Sequence, residues 1–263
     1  MTCGNKTLNL EDYKKMKRII TIFIVLLILS GCSSAEQKEY EAAIAAYDSG
    51  DYDTAISMFE NLGGYEDSDE YRKNAINAII NNAIMDLGGS ITDPMQVYDI
   101  HMLCAQYGIT QNEFEQLKQA SAFESMLKTY AEEYCQSGAW QDCYSMLEPL
   151  TFVSDECMEE CLITYGRWAS IDIAESYVKE RLKSPRSYYR YKASVTAPSY
   201  EDDEGCYNIN VYLDFGATNS FGAEVTDSMQ IGVHYYVDVE NRTVEFDCIG
   251  DLLDMLEDVL NGF

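Results

Sequence analysis

The chain has 263 residues and a strongly acidic composition, with 18 Lys and Arg against 45 Asp and Glu and a formal net charge of −27. Nucleic-acid phosphates need a basic surface, so this balance excludes a nucleic-acid partner. It also argues against electrostatic binding to anionic lipid headgroups. An acidic surface favours solubility or a cationic partner, and solvated acidic faces are the simpler of these explanations. Apolar residues make up 47% of the chain, which is typical of a globular protein.

Residues 1–31 have the pattern of a secretory signal. Basic residues cluster between positions 14 and 18, and an apolar run interrupted only by Thr21 follows from Ile19 to Leu29. A basic block, an apolar core and small residues after it predict a signal peptide. The run is too short for a transmembrane helix, which needs about 20 apolar residues. Met16 is a plausible true start, because Met16-Lys17-Arg18 opens the signal directly.

The signal closes on Leu29-Ser30-Gly31-Cys32, which resembles the lipobox of bacterial, Gram-positive-type lipoproteins. The resemblance implies a diacylglyceryl thioether on the Cys32 thiol and cleavage that makes Cys32 the first residue. Two acyl chains anchor a protein stably, so the implied location is the extracytoplasmic face of the cell membrane. Residues 32–38 are then a lipidated tether. The alternative is an ordinary signal peptide that happens to contain a cysteine.

Residues 39–169 are predicted to form a helical domain. Apolar side chains share one face of a first helix, because they recur at positions i, i+3, i+4 and i+7; these are Tyr40, Ala43, Ile44 and Tyr47. Gly50 is expected to end this helix in the left-handed conformation. Asp51 or Asp53 can cap the helix that follows.

The turn and second helix of this hairpin resemble the tetratricopeptide repeat. The residues that carry the resemblance are Gly50, Tyr52, Ala55 and Phe59, and a second copy begins at Gly138 and Trp140. The resemblance implies an array of helical hairpins, whose concave face in such arrays binds peptides or protein segments. The 88-residue offset between the copies is longer than a single repeat of about 34 residues. An irregular helical bundle is the alternative.

Residues 170–263 are predicted to form an α+β module. An amphipathic helix over 171–182 ends before Pro185, because proline disfavours helix at the preceding residue. The apolar period then changes to two, which predicts an antiparallel sheet with one buried face. The alternating segments are Tyr189 to Val195, Tyr207 to Phe215, Met229 to Val237 and Val244 to Phe246, and a closing helix follows over 252–260. The predicted fold class is therefore α+β, with a repeat-like helical array before a small antiparallel-sheet module with packed helices.

Two motifs in this part of the chain resemble a small module of uncharacterised function, which recurs at the carboxyl ends of Gram-positive lipoproteins and membrane-anchored proteins. They are Leu182-Lys183-Ser184-Pro185 and Asn219-Ser220-Phe221-Gly222-Ala223, and the resemblance spans about residues 172–248. The resemblance implies a fold and a location at the membrane, but it does not imply a reaction. Gly222 is expected in a turn that needs positive φ.

Seven cysteines follow Cys32, and an odd number cannot all pair. Cys157 and Cys161 are spaced i,i+4 on a predicted helix, and Cys135 and Cys143 are near in sequence. Four thiolates can hold zinc, but the short Cys-x-x-Cys knuckles of such sites are missing. Small buried apolar side chains are the simpler role for these cysteines. No resident metal or cofactor is therefore predicted, and a Cys-based metal-binding protein stays an alternative.

No catalytic motif stands out in the sequence. His101 lies in a predicted helix and His234 in a predicted strand, and neither is near a recognisable nucleophile motif. The acidic run from Glu201 to Glu204 lacks the ligand spacing of a calcium loop, so a solvated loop is expected there. The sequence predicts a non-catalytic module that binds or scaffolds a protein or cell-envelope partner at the membrane face. An envelope enzyme without a familiar motif is the alternative from another class.

Overall fold

A computed structural model of the protein describes residues 35–182, 185–218 and 222–248. The predicted signal peptide, Cys32 and the predicted closing helix lie outside these residues, as do Lys183-Ser184 and Asn219-Ser220-Phe221. The described chain is α+β, with helices first and an antiparallel sheet after them, which confirms the predicted fold class.

The helices and strands follow one another in two blocks. The helices are α1 (35–48), α2 (Tyr52–Leu62), α3 (Ser68–Asp86), α4 (Pro94–Tyr107), α5 (Gln111–Glu115), α6 (Ala120–Gln136), α7 (Trp140–Leu147) and α8 (Asp155–Arg181). After a 3-10 turn over Pro185–Ser187 come the strands β1 (Tyr189–Val195), β2 (Ser199–Glu201), β3 (Cys206–Thr218), β4 (Glu224–Asp238) and β5 (Thr243–Cys248).

The strands form one antiparallel sheet in the order β1-β3-β4-β5, and short β2 also pairs with β3. The four predicted alternating segments are all strands, and β2 is an addition. Gly222 has a φ of 81°, as its predicted turn requires. At the β4–β5 turn, the backbone N–H of Asn241 donates to Oδ1 of Asp238 over 2.9 Å. Short turns of this kind keep sequential strands adjacent and antiparallel.

The chain forms two compact units that divide between Ile80 and Asn81, inside α3. The first unit contains the predicted hairpin of α1 and α2. Ala43 on α1 and Ala55 on α2 are fully buried in one cluster with Phe59. Two small residues at this position let the two helices approach closely.

The long helix α8 organises the second unit because it packs on two layers. Its first turns lie against α6 and α7, and its later residues Ile171, Ala174 and Val178 are buried against the sheet. The predicted domain boundary between residues 169 and 170 therefore falls inside a continuous helix of 27 residues. The change of apolar period at Pro185 follows the end of α8, and both halves of this helix belong to the second compact unit.

Glycine at position 166 permits a close approach between α8 and the sheet. The ring of Tyr235 on β4 lies where a Cβ at Gly166 would be, with ring carbons 2.6 Å from that position. Tyr235 is fully buried, and its hydroxyl donates to the carbonyl of Ile163 over 3.2 Å. Burial raises the pKa of Tyr235, so this hydroxyl stays protonated and remains a donor at physiological pH.

We predict that Gly166→Ala destabilises the protein although alanine is the better helix former. Overpacking costs about 1–3 kcal/mol, and the gain in helix propensity offsets about 1 kcal/mol of it. Because the clash is with a fully buried ring, the cost lies in the upper part of that range, and urea unfolding should show a net loss of about 1–2 kcal/mol. In a Tyr235→Leu background the loss should shrink, because the ring is gone. A Gly166→Ala variant as stable as the parent would contradict this packing.

Candidate functional site

The predicted repeat residues of the first unit have structural roles. Gly50 has a φ of 82° and ends α1, and the Asp51 side chain caps α2 by accepting from the Thr54 backbone N–H. Phe59 is buried, and Tyr52 contacts Tyr47 with ring centroids 5.6 Å apart. These side chains hold the hairpin together.

The second copy of the motif is also a hairpin. Gly138 has a φ of 93° between α6 and α7, and Cys143, at the position equivalent to Ala55, is fully buried. Trp140 is buried too, and its indole N–H donates to Oδ2 of Asp172 on α8 over 2.9 Å. The structure thus places both copies at left-handed glycine turns between helices. Whether they belong to a tetratricopeptide array remains a prediction.

Buried thiols lie in the helices of the second unit as two hydrogen-bonded pairs. The hydrogen bond with Cys143, together with burial, raises the pKa of Cys135, and the bond with Cys157 together with burial raises that of Cys161. The thiolate is the form that attacks electrophiles and binds metals. Cys135 and Cys161 are therefore poor nucleophiles. Within the described chain, these four cysteines do not form a group of three or more with mutual metal-ligand spacing.

His101 borders a cavity of about 430 Å³ that Cys104, Thr110 and Phe152 also line. Nδ1 of His101 is buried without a hydrogen-bond partner, and the ring stacks on Phe152 with centroids 6.2 Å apart. Burial raises the pKa of Cys104 to about 12, so this thiol is not an activated nucleophile. The cavity thus lacks the thiolate that a Cys-His catalytic pair needs.

A small apolar groove lies between α4 and α7. It has a volume of about 220 Å³, and Met95, Tyr98, Met146 and Leu150 are among its lining residues. Small-molecule sites usually occupy roughly 300–1,000 Å³. None of the residues lining the groove is Asp, Glu, Lys or Arg, so no charge there selects a partner.

The sheet has two unlike faces, and the face turned away from α8 is rich in tyrosine. We call it the outer face. Side chains alternate along β3 and β4: Val211, Leu213, Ile231 and Val233 are buried toward α8, and Tyr212 between them is 42% exposed. The outer face carries Tyr189, Tyr191, Tyr212 and Tyr236, together with the polar side chains of Asn210, Asp214, Ser228 and Gln230.

One end of the outer face is organised around a bulge in β1. The register between β1 and β3 shifts between Arg190 and Lys192, so Lys192 lies opposite Asp214 on the outer face. Tyr189 and Tyr191, two residues apart, share this face by ordinary strand alternation. Their hydroxyl oxygens are 2.7 Å apart, and both hydroxyls donate to Oε1 of Glu224. The Tyr189 ring lies over Gly216, so a Cβ at this position would displace the ring. The Glu224 carboxylate thus fixes both rings in place.

Cross-strand hydrogen bonds continue along the middle of the outer face. The Ser228 hydroxyl donates to Oδ1 of Asp214 over 2.7 Å, and the Gln230 amide donates to Oδ1 of Asn210 over 3.0 Å. These bonds hold short polar side chains between Tyr212 and the two ends of the sheet. A surface of rigid tyrosines among Ser, Asn and Gln is the composition that protein-binding sites of antibodies use.

The other end of the outer face brings together Glu204, Cys206 and His234. Their ligand atoms all lie within 4.8 Å of one another, and the described residues contain no second such group of three. Sequence reasoning noted the acidic run and His234 separately but did not join them. The Glu-x-Cys spacing at the start of a strand was a usable signal for two of the three. The third needs the pairing register of β3 and β4.

No protein-family model, curated protein or solved structure matches this chain. Among the described helices, none is both long and apolar enough to cross a membrane.

We predict that the six described free cysteines resist alkylation in the folded protein. All six are buried, and burial raises the pKa of Cys104 and Cys206, so little thiolate is present near pH 8. Mass spectrometry after iodoacetamide treatment should find these six unmodified without denaturant and fully modified in urea. Rapid native labelling of Cys135 or Cys161 would show that the thiol pairs are reactive.

Proposed function

We propose that the chain is a lipid-anchored extracytoplasmic protein that binds a basic protein partner through the outer face of its sheet. The observation that carries the proposal is the exposed row of tyrosines on a sheet whose opposite face is buried by α8. Tyrosine is enriched at protein interfaces, because it supplies a large contact area at low conformational entropy cost and a polar hydroxyl.

The charge of the outer face indicates the chemistry of the partner. Acidic residues surround the tyrosines: Asp214, Glu224, Glu245 and Asp247 all lie on this face, with Lys192 as a basic neighbour. Complementary charge steers association and suppresses partners of the same sign. A protein surface or segment rich in Lys and Arg therefore fits this face best. The net charge of −27 also favours a basic partner.

The tyrosine side chains at one end of the outer face are already ordered, which supports a binding role for this face rather than simple exposure to solvent. Tyr189 and Tyr191 are held by Glu224, and Tyr191 is still 56% exposed. Side chains that are already ordered lose little entropy when a partner binds, which raises affinity for a given contact area. A lipidated amino terminus with two acyl chains would keep the protein at the membrane surface, within reach of other envelope proteins.

We predict that Cys32→Ala releases the protein from the membrane. The substitution removes the proposed acylated sulfur, and no other anchor is proposed. Cell fractionation and labelling with an alkyne-tagged fatty acid should show a protein that leaves the membrane fraction and carries no label. Cys3→Ala is the matched control and should keep both membrane location and label. A Cys32→Ala protein that still fractionates with the membrane would overturn the anchor.

We also predict that the outer face crosslinks a defined basic partner in intact cells. A photo-crosslinking amino acid at position 191 or 212 should give one adduct of constant mass, and the same residue at position 98, in the α4–α7 groove, should not. The captured protein should be basic, and higher salt should weaken its binding. Equal adducts at all three positions, or none at 191 and 212, would refute the proposed face.

The purified partner allows a quantitative test of the same claim. Tyr191→Ser with Tyr212→Ser should raise its Kd about 30-fold or more, because truncating interface hot spots costs about 2 kcal/mol or more. Tyr98→Ser is the matched control, since Tyr98 is similarly exposed at 49% and lies off the sheet. A double variant that binds as tightly as the parent would rule out a contribution from these rings.

A further inference from the structure

A tight turn between β2 and β3 presents Glu204 beside the sheet. The backbone N–H groups of Glu204 and Gly205 both donate to the carbonyl of Glu201, over 3.2 and 2.8 Å. Gly205 has a φ of 67°, a conformation that glycine adopts without strain. The left-handed residue reverses the chain, so the side chains of Glu204 and Cys206 meet at the beginning of β3.

The register of β3 and β4 brings His234 to the same place. Asn208 lies directly opposite His234, and Cys206 starts the same strand two residues earlier. Residues two apart on a strand share a face, so Cys206 and His234 both lie on the outer face. Cys206 is fully buried, and the side chain of His234 is 14% exposed. Both donors are thus held in place by the sheet.

Two of the three distances among these side chains are close to those of tetrahedral coordination, and the third pair of ligand atoms lies within 4.8 Å. Oε2 of Glu204 lies 3.8 Å from Sγ of Cys206 and 3.5 Å from Nδ1 of His234. Zinc bonds of about 2.0–2.3 Å at tetrahedral angles separate neighbouring ligand atoms by roughly 3.3–3.6 Å. A cation between the three atoms therefore needs shifts of only a few tenths of an ångström for these two pairs.

We propose that Glu204, Cys206 and His234 form a binding site for a borderline-soft divalent cation of the zinc class. The donor set of one thiolate sulfur, one imidazole nitrogen and one carboxylate oxygen selects such an ion over Mg²⁺ and Ca²⁺, which prefer all-oxygen sites. On binding, the Cys206 thiol releases its proton to solvent, and the sulfur forms the bond to the metal. No oxidation or reduction is involved.

Local charge favours the cation. Burial raises the pKa of Cys206, and the neighbouring carboxylates of Glu204 and Glu201 raise it further. The same negative potential that disfavours a free thiolate stabilises a divalent cation placed beside it. A metal ion would thus replace the proton of the Cys206 thiol at a position where nearby carboxylates already balance the positive charge of the ion.

The site leaves room for a fourth ligand. Glu204 is 54% exposed, so the group opens to solvent on this side. Structural zinc sites are closed by four protein ligands, whereas a site with three protein ligands takes a water or another molecule at the fourth position. The Tyr236 hydroxyl hydrogen-bonds Cys206 and belongs to the tyrosine row of the outer face. The metal would therefore lie at one end of the proposed binding face.

The test is metal titration of the reduced full-length protein in detergent. Co²⁺ should bind with a stoichiometry of one and give the intense thiolate-to-cobalt charge-transfer absorption that a Cys ligand produces, and Zn²⁺ should displace it. Cys206→Ser should abolish the thiolate absorption. His234→Gln and Glu204→Gln should each weaken binding at least about tenfold, since even changes outside the ligand shell cost 10–100-fold.

Matched controls separate this site from other donors. His101→Gln removes the other histidine of the chain, and Cys104→Ser removes a buried thiol on α4; both should bind Co²⁺ like the parent. Circular dichroism without metal checks that each variant folds. If Cys206→Ser does not fold, the Co²⁺ affinity of His234→Gln still tests the proposed site, because this variant keeps the Cys206 thiol.

Two results overturn the proposal. One is the absence of stoichiometric binding and of the thiolate absorption in the folded parent. The other is binding that survives in both Cys206→Ser and His234→Gln and is lost when Cys135 and Cys143 are replaced, which would move the metal to the buried thiol pairs. Neither result bears on the partner experiments, so the two proposals fail separately.

Discussion

The packing of α8 against the sheet is the constraint on which the second unit depends. Tyr235 reaches the backbone of α8 because position 166 has no Cβ, and its hydroxyl bonds the Ile163 carbonyl. The apolar side chains of β3 and β4 are buried under the same helix. Because side chains alternate along a strand, this burial sends Tyr212 and Tyr236 to the opposite face. The helix contact thereby decides which residues meet solvent and partners.

Tertiary contacts also explain why the helices and the sheet of the second unit are not separate modules. Arg167 on α8 donates to the Thr196 carbonyl after β1 over 3.1 Å and pairs with Glu132 on α6 at 3.3 Å. The Tyr144 hydroxyl on α7 donates to the Arg242 carbonyl at the β4–β5 turn over 2.8 Å. A ligand on the outer face would therefore act on a sheet that is braced by several helices.

Sequence pattern predicted the elements well and the site only in part. The i, i+3, i+4, i+7 stripe that contains Ala43 and the left-handed Gly50 are local signals, so the first hairpin followed from them. The period-two segments predicted the main strands for the same reason. Residues 169 and 170 lie inside α8, and the sequence did not indicate this continuity, because a change of apolar period marks where a helix ends but not what the helix packs on.

By itself, the sequence determined the α+β class, the order of helices before strands, and the glycine turns at Gly50, Gly138 and Gly222, because propensity and periodicity act over a few residues. Its signal and lipobox pattern stays a prediction. Only the tertiary structure decided that Glu204, Cys206 and His234 meet, and that the outer tyrosines form one face. Such groupings depend on strand register and on which face α8 covers, and both are set by contacts between residues far apart in the chain.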